Sequence, residues 1–446
     1  MGYRRSIVSP RIDGEELDIL KEKRACAPPG RPKARIAPPR GAAKRRQPQA
    51  WGYTMRGVQE RFGRALRLGS IGGGPESWIG RMHRGAAEMD GCWRNVAGVF
   101  SSAPARSRVA GAALGFDPAR SYGDVAEMLA HEKERDDGID AVAIMTPNDT
   151  HYAFARAALD AGLDVICDKP VTGNLREASN LAARVRGRQR IFAIAHAYSA
   201  YPMTRYARML VRDGALGAIR LVQVEYIQSG LATRLEDGPT SNRLRWLLDP
   251  ERSGLALVMS AIGCHAQHLA SFVAGANAAR VSADVGALVP NRKVVDYVSA
   301  LVEFEGGAHG TFTVTQAAAG GENDIRLRVY GEKGLLDWSH REASYLRLSM
   351  HGEPVRVIGR GDPLLPPDII ATGRTPRGHP EGLREAFANI YAEVAQERMA
   401  RALDEPVPAF AYPTIEDGVH TMAFIEACVA SHAKGGWVDV ARSSTA

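Results

Sequence analysis

Leu66-Arg67-Leu68-Gly69-Ser70-Ile71-Gly72-Gly73-Gly74-Pro75-Glu76-Ser77-Trp78-Ile79-Gly80 decides how the rest of this chain reads. A short, largely apolar run ends in three glycines and is followed by helically spaced Met82, Ala86, Ala87 and Met89. Strand, glycine turn and helix in that order are the context of a dinucleotide-binding fingerprint. Glycines there permit a tight turn and a close approach of the backbone to a pyrophosphate, and the helix start offers free N–H groups. Gly72, Gly74, Ile79 and Gly80 are therefore candidate cofactor residues. Five residues separate Gly74 from Gly80, so the spacing is not GxGxxG, and the glycine run by itself also fits a surface loop.

The neighbouring segments extend the reading. Residues 95–100 predict a second strand and residues 139–145 a later one, ending in Thr146-Pro147-Asn148. Residues 153–161 form an alanine-rich helix stopped by Gly162, and residues 163–167 a strand ending in Asp168-Lys169-Pro170. Strands alternating with helices predict a parallel, doubly wound sheet, whose ligands sit beyond the carboxyl ends of the strands. Thr146, Asn148, His151, Asp168 and Lys169 fall at those ends. The second strand ends in Ser101-Ser102 with Arg106 close by, in place of an acid for a ribose 2′-hydroxyl. Two hydroxyls and a guanidinium suit a 2′-phosphate, whereas backbone contacts alone would hold NAD, so NAD and NADP stay even.

Further along, residues 324–330 alternate apolar with polar as a half-exposed antiparallel strand does. Residues 220–227, 297–304 and 310–316 read as further strands, and 382–403 and 414–434 as late helices. A chain of 446 residues has a prior of two or three domains, and 45% hydrophobic with 24% charged residues excludes wholesale disorder. The expected division is an extension over 1–65, a dinucleotide domain over 66–195 and a second α/β domain over 196–438. Cys26, Cys92, Cys167, Cys264 and Cys428 are scattered without a CxxC pair, which suits a reducing cytoplasm. Residues 253–279 carry no charged side chain, but their centre is polar, so a buried helix is expected there and no membrane span.

The net charge of +7 is unevenly placed. Residues 1–67 hold 17 Lys/Arg and 6 Asp/Glu, or +11, leaving −4 on the remainder. A nucleic-acid enzyme would carry its basic footprint on the folded part, so no nucleic-acid partner is expected. The extension has prolines at 10, 28, 29, 32, 38, 39 and 48 and no sustained apolar period, which predicts disorder. Arg4-Arg5 lacks a following apolar region, and acids at 13, 15, 16 and 18 argue against a transit peptide. Met55 is a natural alternative start; the other reading is a tail that touches RNA or an acidic partner.

In combination and order, several motifs resemble those of the Gfo/Idh/MocA family, the glucose–fructose oxidoreductase and inositol dehydrogenase group. They are Gly72-Gly73-Gly74 with Ile79-Gly80 and His83-Arg84, Thr146-Pro147-Asn148 with His151, Asp168-Lys169-Pro170, Gly263 with His265, and Tyr330-Gly331-Glu332-Lys333-Gly334. The resemblance covers residues 66 to 438. It implies a Rossmann domain, a C-terminal domain with a large, mostly antiparallel sheet, a homo-oligomer (dimer or tetramer), and NAD(P)-dependent oxidation or reduction of a sugar or cyclitol. It also implies that Lys169 touches the substrate oxygen.

Hydride transfer from a secondary alcohol needs a base for the hydroxyl proton and a cation or donor for the oxygen. Lys169 suits the second task, and His265, an imidazole that titrates near neutrality, the first. Tyr198 and Trp246 are candidate substrate walls. Cys264, His265 and His268 lack the further ligands that a metal site requires, and no metal is expected. Three residues depart from the family pattern: Asp168 stands where Glu is usual, Ala261 where an Asp four residues before the histidine is usual, and Leu247 where Arg is expected after Trp246. Tyr198, Tyr201 and Asp249 are candidates to replace the missing carboxylate. The main reading is a cytoplasmic dehydrogenase of a sugar, cyclitol or glycoside. Its rivals are a catalytically weak dinucleotide-binding sensor, kept alive by Ala261, and a dehydrogenase of a less polar cyclic alcohol such as a dihydrodiol.

Overall fold

The computed structural model describes residues 61–238, 247–250 and 256–442. Residues 1–60 of the extension and the proposed substrate wall Trp246 lie outside them. Five strands, β1 (Leu66–Gly72), β2 (Trp93–Val99), β3 (Ala141–Met145), β4 (Asp164–Cys167) and β5 (Phe192–Ile194), form a wholly parallel sheet in the order β2-β1-β3-β4-β5. Its crossovers carry α1 (Trp78–Met89), α2 (Pro104–Ala113), α3 (Val125–Glu134), α4 (His151–Asp160) and α5 (Leu175–Arg188). Every residue of β3 is buried, as expected of a strand covered on both faces. The winding reverses between β1 and β3, where Gly72 pairs with Met145, so a crevice for a ligand opens at that point. β2 begins two residues before the expected start, because Trp93 is buried and its indole N–H is held 2.8 Å from the Tyr391 carbonyl.

The second sheet has nine strands: β6 (Ile219–Gln228), β7 (Ala278–Gly286), β8 (Tyr297–Phe304), β9 (His309–Thr315), β10 (Asn323–Gly331), β11 (Gly334–Ser339), β12 (Tyr345–Met350), β13 (Arg356–Gly359) and β14 (Val438–Asp439). Their order is β13-β12-β11-β10-β6-β9-β8-β7-β14, antiparallel throughout except for the β6–β9 pair. The long helices are α6 (Pro202–Arg212), α7 (Cys264–Ala274), α8 (Leu383–Ala402) and α9 (Ile415–Lys434). The buried helix expected within 253–279 is α7, entered through a π-helical turn over Met259–Gly263.

The two late helices return to the first sheet. α8 packs on α1 and α9 on α5. The Tyr391 hydroxyl lies 2.8 Å from His83 Nδ1, and Ile194 N–H donates to the Pro413 carbonyl at 2.8 Å. The Arg205 guanidinium on α6 donates to both carboxylate oxygens of Glu393 on α8, at 2.6 and 2.9 Å, with both side chains buried.

Candidate active site

The glycine turn could not be built from other residues. Gly72 and Gly73 sit at φ +85° and +68°, the left-handed region that side chains disfavour. A Cβ on Gly72 would lie 2.7 Å from Thr146 Cγ2, and one on Gly80 only 2.4 Å from the Gly73 carbonyl oxygen. Gly80 thus lets α1 start hard against the turn. The Ser77 hydroxyl caps that helix by accepting from Gly80 N–H at 3.0 Å, and the Arg84 guanidinium donates to the Gly73 carbonyl. Ile79 is half-buried against the core. The bare backbone and uncrowded helix start fit a pyrophosphate. Asn148, at the end of β3, is buried with its Oδ1 unpartnered, a polar atom ready for a ligand. At the end of β2, Ser101 is half-buried with its hydroxyl accepting from Ala103 N–H at 3.2 Å; Ser102 and Arg106 are exposed.

His151 is otherwise engaged. Its ring is buried, with Nδ1 2.8 Å from the Pro170 carbonyl and Nε2 2.9 Å from the Thr146 carbonyl. It clasps the loop after β3 to the loop after β4, so it shapes the cofactor edge through the main chain. Thr146 takes a hydrogen bond from the Thr150 hydroxyl at 2.7 Å, and one Asp168 carboxylate oxygen accepts from Lys169 N–H at 2.9 Å.

The structure brings Lys169 and His265 together through one residue, Ala261. The Lys169 ammonium donates to the Ala261 carbonyl, in the π-turn four residues before His265. Where the family pattern has a carboxylate, this chain supplies a backbone oxygen of the same residue. The methyl of Ala261 packs against an apolar cluster of Leu231, Leu257 and Val294, joined by Leu247 and Leu248.

His265 is half-buried, and its Nδ1 is sealed without a partner. Its ring meets Tyr198 edge-on at 5.0 Å and His196 edge-on at 5.4 Å. His196 stacks on His268 at 4.5 Å. His268 Nε2 is 3.1 Å from the Ser199 hydroxyl, and its Nδ1 is 3.9 Å from an Asp417 carboxylate oxygen. Burial first, then the Lys169 ammonium and His268, hold the His265 imidazole well below its ordinary 6.5. Burial pushes the Cys264 thiol up to about 11, which removes it as a nucleophile. Among the described residues, no group of three His, Cys, Asp or Glu side chains is arranged to hold a metal. Nor, among them, is any helix long and apolar enough to cross a membrane.

Of the candidates for the missing carboxylate, Tyr198 touches the His265 ring, Tyr201 lies one ring further out, stacked on Tyr198 at 6.3 Å, and Asp249 is half-buried in the 247–250 segment. Sequence reasoning did not single out His196, Tyr226, Gln228, Gln316 or Asn323. The Tyr198 and Tyr226 hydroxyls are 2.6 Å apart, and Tyr226 donates to Asn323 Oδ1 at 2.8 Å. For His196, Gln228, Gln316 and Asn323 the sequence signal is a polar residue that continues the apolar side of a strand at or just past its end; Tyr226 reads as core.

Known proteins resemble this chain over most of its length. Residues 66–196 match the model of an oxidoreductase family with an NAD-binding Rossmann fold, and residues 204–337 match the GFO/IDH/MocA C-terminal domain. An uncharacterized oxidoreductase of Bacillus subtilis, YfiI, is 32% identical over 84% of this chain and 96% of its own. The solved inositol dehydrogenase homolog of Azotobacter vinelandii, complexed with NAD+, is 34% identical over 84% of this chain and 97% of that one, with a TM-score of 0.81. The levoglucosan dehydrogenase of Pseudarthrobacter phenanthrenivorans is 25% identical over 69% of this chain and 82% of its own. With both family models matched in chain order, a parallel sheet with a glycine turn and a mostly antiparallel second sheet, the chain belongs to the Gfo/Idh/MocA family of NAD-binding oxidoreductases.

Proposed function

We propose that the enzyme moves a hydride between nicotinamide and a secondary alcohol, or its ketone, on a sugar, cyclitol or glycoside. The observation that carries this reading is the convergence of the Lys169 ammonium and the His265 imidazole on the Ala261 turn. Gly72, Gly74, Ile79, Gly80, Ser101, Ser102, Arg106, Thr146, Asn148 and Asp168 would hold NAD or NADP, with His151 fixing the edge. The bound nicotinamide supplies the hydride acceptor or donor.

In the oxidising direction the substrate hydroxyl gives its proton to His265 Nε2, since Nδ1 is sealed. A ring held neutral by burial and by a neighbouring cation is ready to accept at neutral pH. Lys169 donates to the substrate oxygen as charge develops on it. The Ala261 carbonyl orients that ammonium without neutralising it, so the cation keeps its full effect on the oxygen. This favours an active enzyme over a binding-only sensor. Tyr198, buried against His265, walls the pocket.

A less polar cyclic alcohol, such as a dihydrodiol, is the second reading. Its support is the packing of Ala261 and Leu247 into the apolar cluster, and likeness to the trans-1,2-dihydrobenzene-1,2-diol dehydrogenase of Bos taurus, 27% identical over 51% of this chain. We assign residues 66–195 to the dinucleotide and 196–438 to substrate and subunit pairing in a cytoplasmic homo-oligomer. The four described cysteines are free and buried, in keeping with a reducing compartment.

The test is absorbance of reduced nicotinamide with NAD and NADP over a panel of polyols, glycosides and cyclic diols. Turnover lost in both Lys169→Ala and His265→Ala supports the enzyme. Tight coenzyme binding with no turnover on any member of the panel supports the sensor.

A further inference from the structure

We propose that Gln316 is a second recognition point for the substrate, its side-chain oxygen accepting a hydroxyl from a carbon other than the one oxidised. This rests on the polyol reading of the same site and narrows it to ring compounds with a hydroxyl away from the reacting carbon.

Three amides lie side by side across the end of the second sheet. Gln228 pairs with Asn323 in the β6–β10 register, and Ile227 pairs with Thr315 in β6–β9, so the next residues, Gln228 and Gln316, are neighbours. They share the inner face with buried Val222, Val224 and Tyr226, on the strand against which α7 packs. Gln316 Nε2 donates to Gln228 Oε1 at 2.8 Å, and Gln228 Nε2 donates to Asn323 Oδ1 at 2.5 Å and to the Tyr226 hydroxyl at 3.2 Å. The Tyr226 hydroxyl is spent on Asn323, which makes Tyr198 the donor in the Tyr198–Tyr226 contact.

The amide nitrogens of Gln228 and Gln316 thus each find an oxygen, and of the oxygens in the row one is left over. Gln316 Oε1 is sealed from solvent with no donor. Folded proteins pair nearly all such atoms, and an unpaired one calls for a cause. The side chain as a whole is half-buried, and the terminal torsion of a glutamine is soft, so a small rotation presents that oxygen outward.

The position of the row gives the ligand its chemistry. At one end Tyr198 touches the His265 ring. At the other the Gln316 carbonyl accepts from Leu231 N–H at 2.8 Å, and Leu231 belongs to the apolar cluster that receives Ala261. A ring with one apolar face and hydroxyls along its edge matches a polar floor beside an apolar wall. A cyclic alcohol with a single hydroxyl reaches Lys169 and His265 but has nothing to give Gln316.

The test uses the full-length protein and three probes: myo-inositol, levoglucosan and cyclohexanol. Calorimetry on the NADH complex reads polyol affinity, and steady-state rates with NAD and NADP read turnover. Gln316→Met keeps the length and removes the acceptor; Gln316→Glu keeps an acceptor. We expect Gln316→Met to weaken polyol binding and raise KM about tenfold, with kcat within about threefold and cyclohexanol unaffected. Gln316→Glu is expected to hold polyol affinity within about threefold of wild type. Should the methionine variant not fold, as judged by thermal melting, Gln316→Ala is measured in its place with the same expectation. Polyol binding that is indifferent to the loss of the acceptor, or lost equally for cyclohexanol, overturns the role of Gln316 while turnover upholds the dehydrogenase. Gln316-dependent binding without turnover upholds the role and overturns the dehydrogenase. No binding of either polyol to wild type overturns the role outright.

Discussion

The cofactor edge and the reaction centre are built from different materials. At the cofactor edge the work is done by absence: Gly72, Gly73 and Gly80 clear the space, and main-chain atoms fill the roles. At the reaction centre the His265 ring packs against those of His196 and Tyr198, and one backbone carbonyl holds the Lys169 ammonium in place of a side chain. The contrast teaches that the first site tolerates almost no change in volume, whereas the second depends on charge and direction.

Substitutions set the two against each other. The largest effect is expected from Lys169→Ala, with kcat/KM down by about 10³-fold and coenzyme binding by tryptophan quenching unchanged. Coenzyme binding that fell in step would erase the division of labour. Next is Gly80→Ala. Its methyl would lie 2.4 Å from the Gly73 oxygen, and overpacking of this kind costs about 1–3 kcal/mol, so coenzyme affinity is expected to fall by about 10–100-fold. Unchanged affinity would show the turn to be soft.

A smaller effect is expected from Ala261→Asp. A carboxylate beside the ammonium and the imidazole favours their charged forms, so the acidic limb of the oxidation rate should move to higher pH. Rate itself should change less than about tenfold, because the carbonyl already orients the amine. A gain far beyond that would mean the carbonyl is an inadequate substitute. The wild-type profile is the baseline. His265 must be neutral to accept a proton, and its affinity for protons lies well below the ordinary value, so oxidation is expected to stay level as pH falls through 6.5 and to fail only well below it. An acidic limb near 6.5 would show a solvated ring.

The same contrast explains what could be read in advance. Short apolar runs closed by turn-forming residues, glycine after β1 and proline-containing turns after β3 and β4, placed these strands closely, because strands buried on both faces leave an uninterrupted signal. Alternation placed β10, with its outer face half-exposed. β5 has three residues and β14 two, too few for any period to register. In the site, Lys169 and His265 were visible through motifs with fixed neighbours. His196, Gln228 and Gln316 were not, since each is one polar residue at a strand end and acquires meaning only when register sets strands distant in sequence side by side. That the Ala261 carbonyl would meet Lys169 was equally hidden: a backbone oxygen has no letter in the sequence.

The return of the last two long helices to the first sheet limits how this protein can be taken apart. Tyr391 serves both His83 on α1 and Trp93 on β2, and the Pro413–Thr414 segment closes the edge of β5. A fragment ending near residue 195 would keep its glycines and lose the cover on one helix and the outermost strand. Nucleotide affinity grafted onto another enzyme from this chain would have to bring along more than two hundred residues of the second domain's sequence (roughly those after 195, by the spacing of these contacts). The halves are distinct in plan and inseparable in practice.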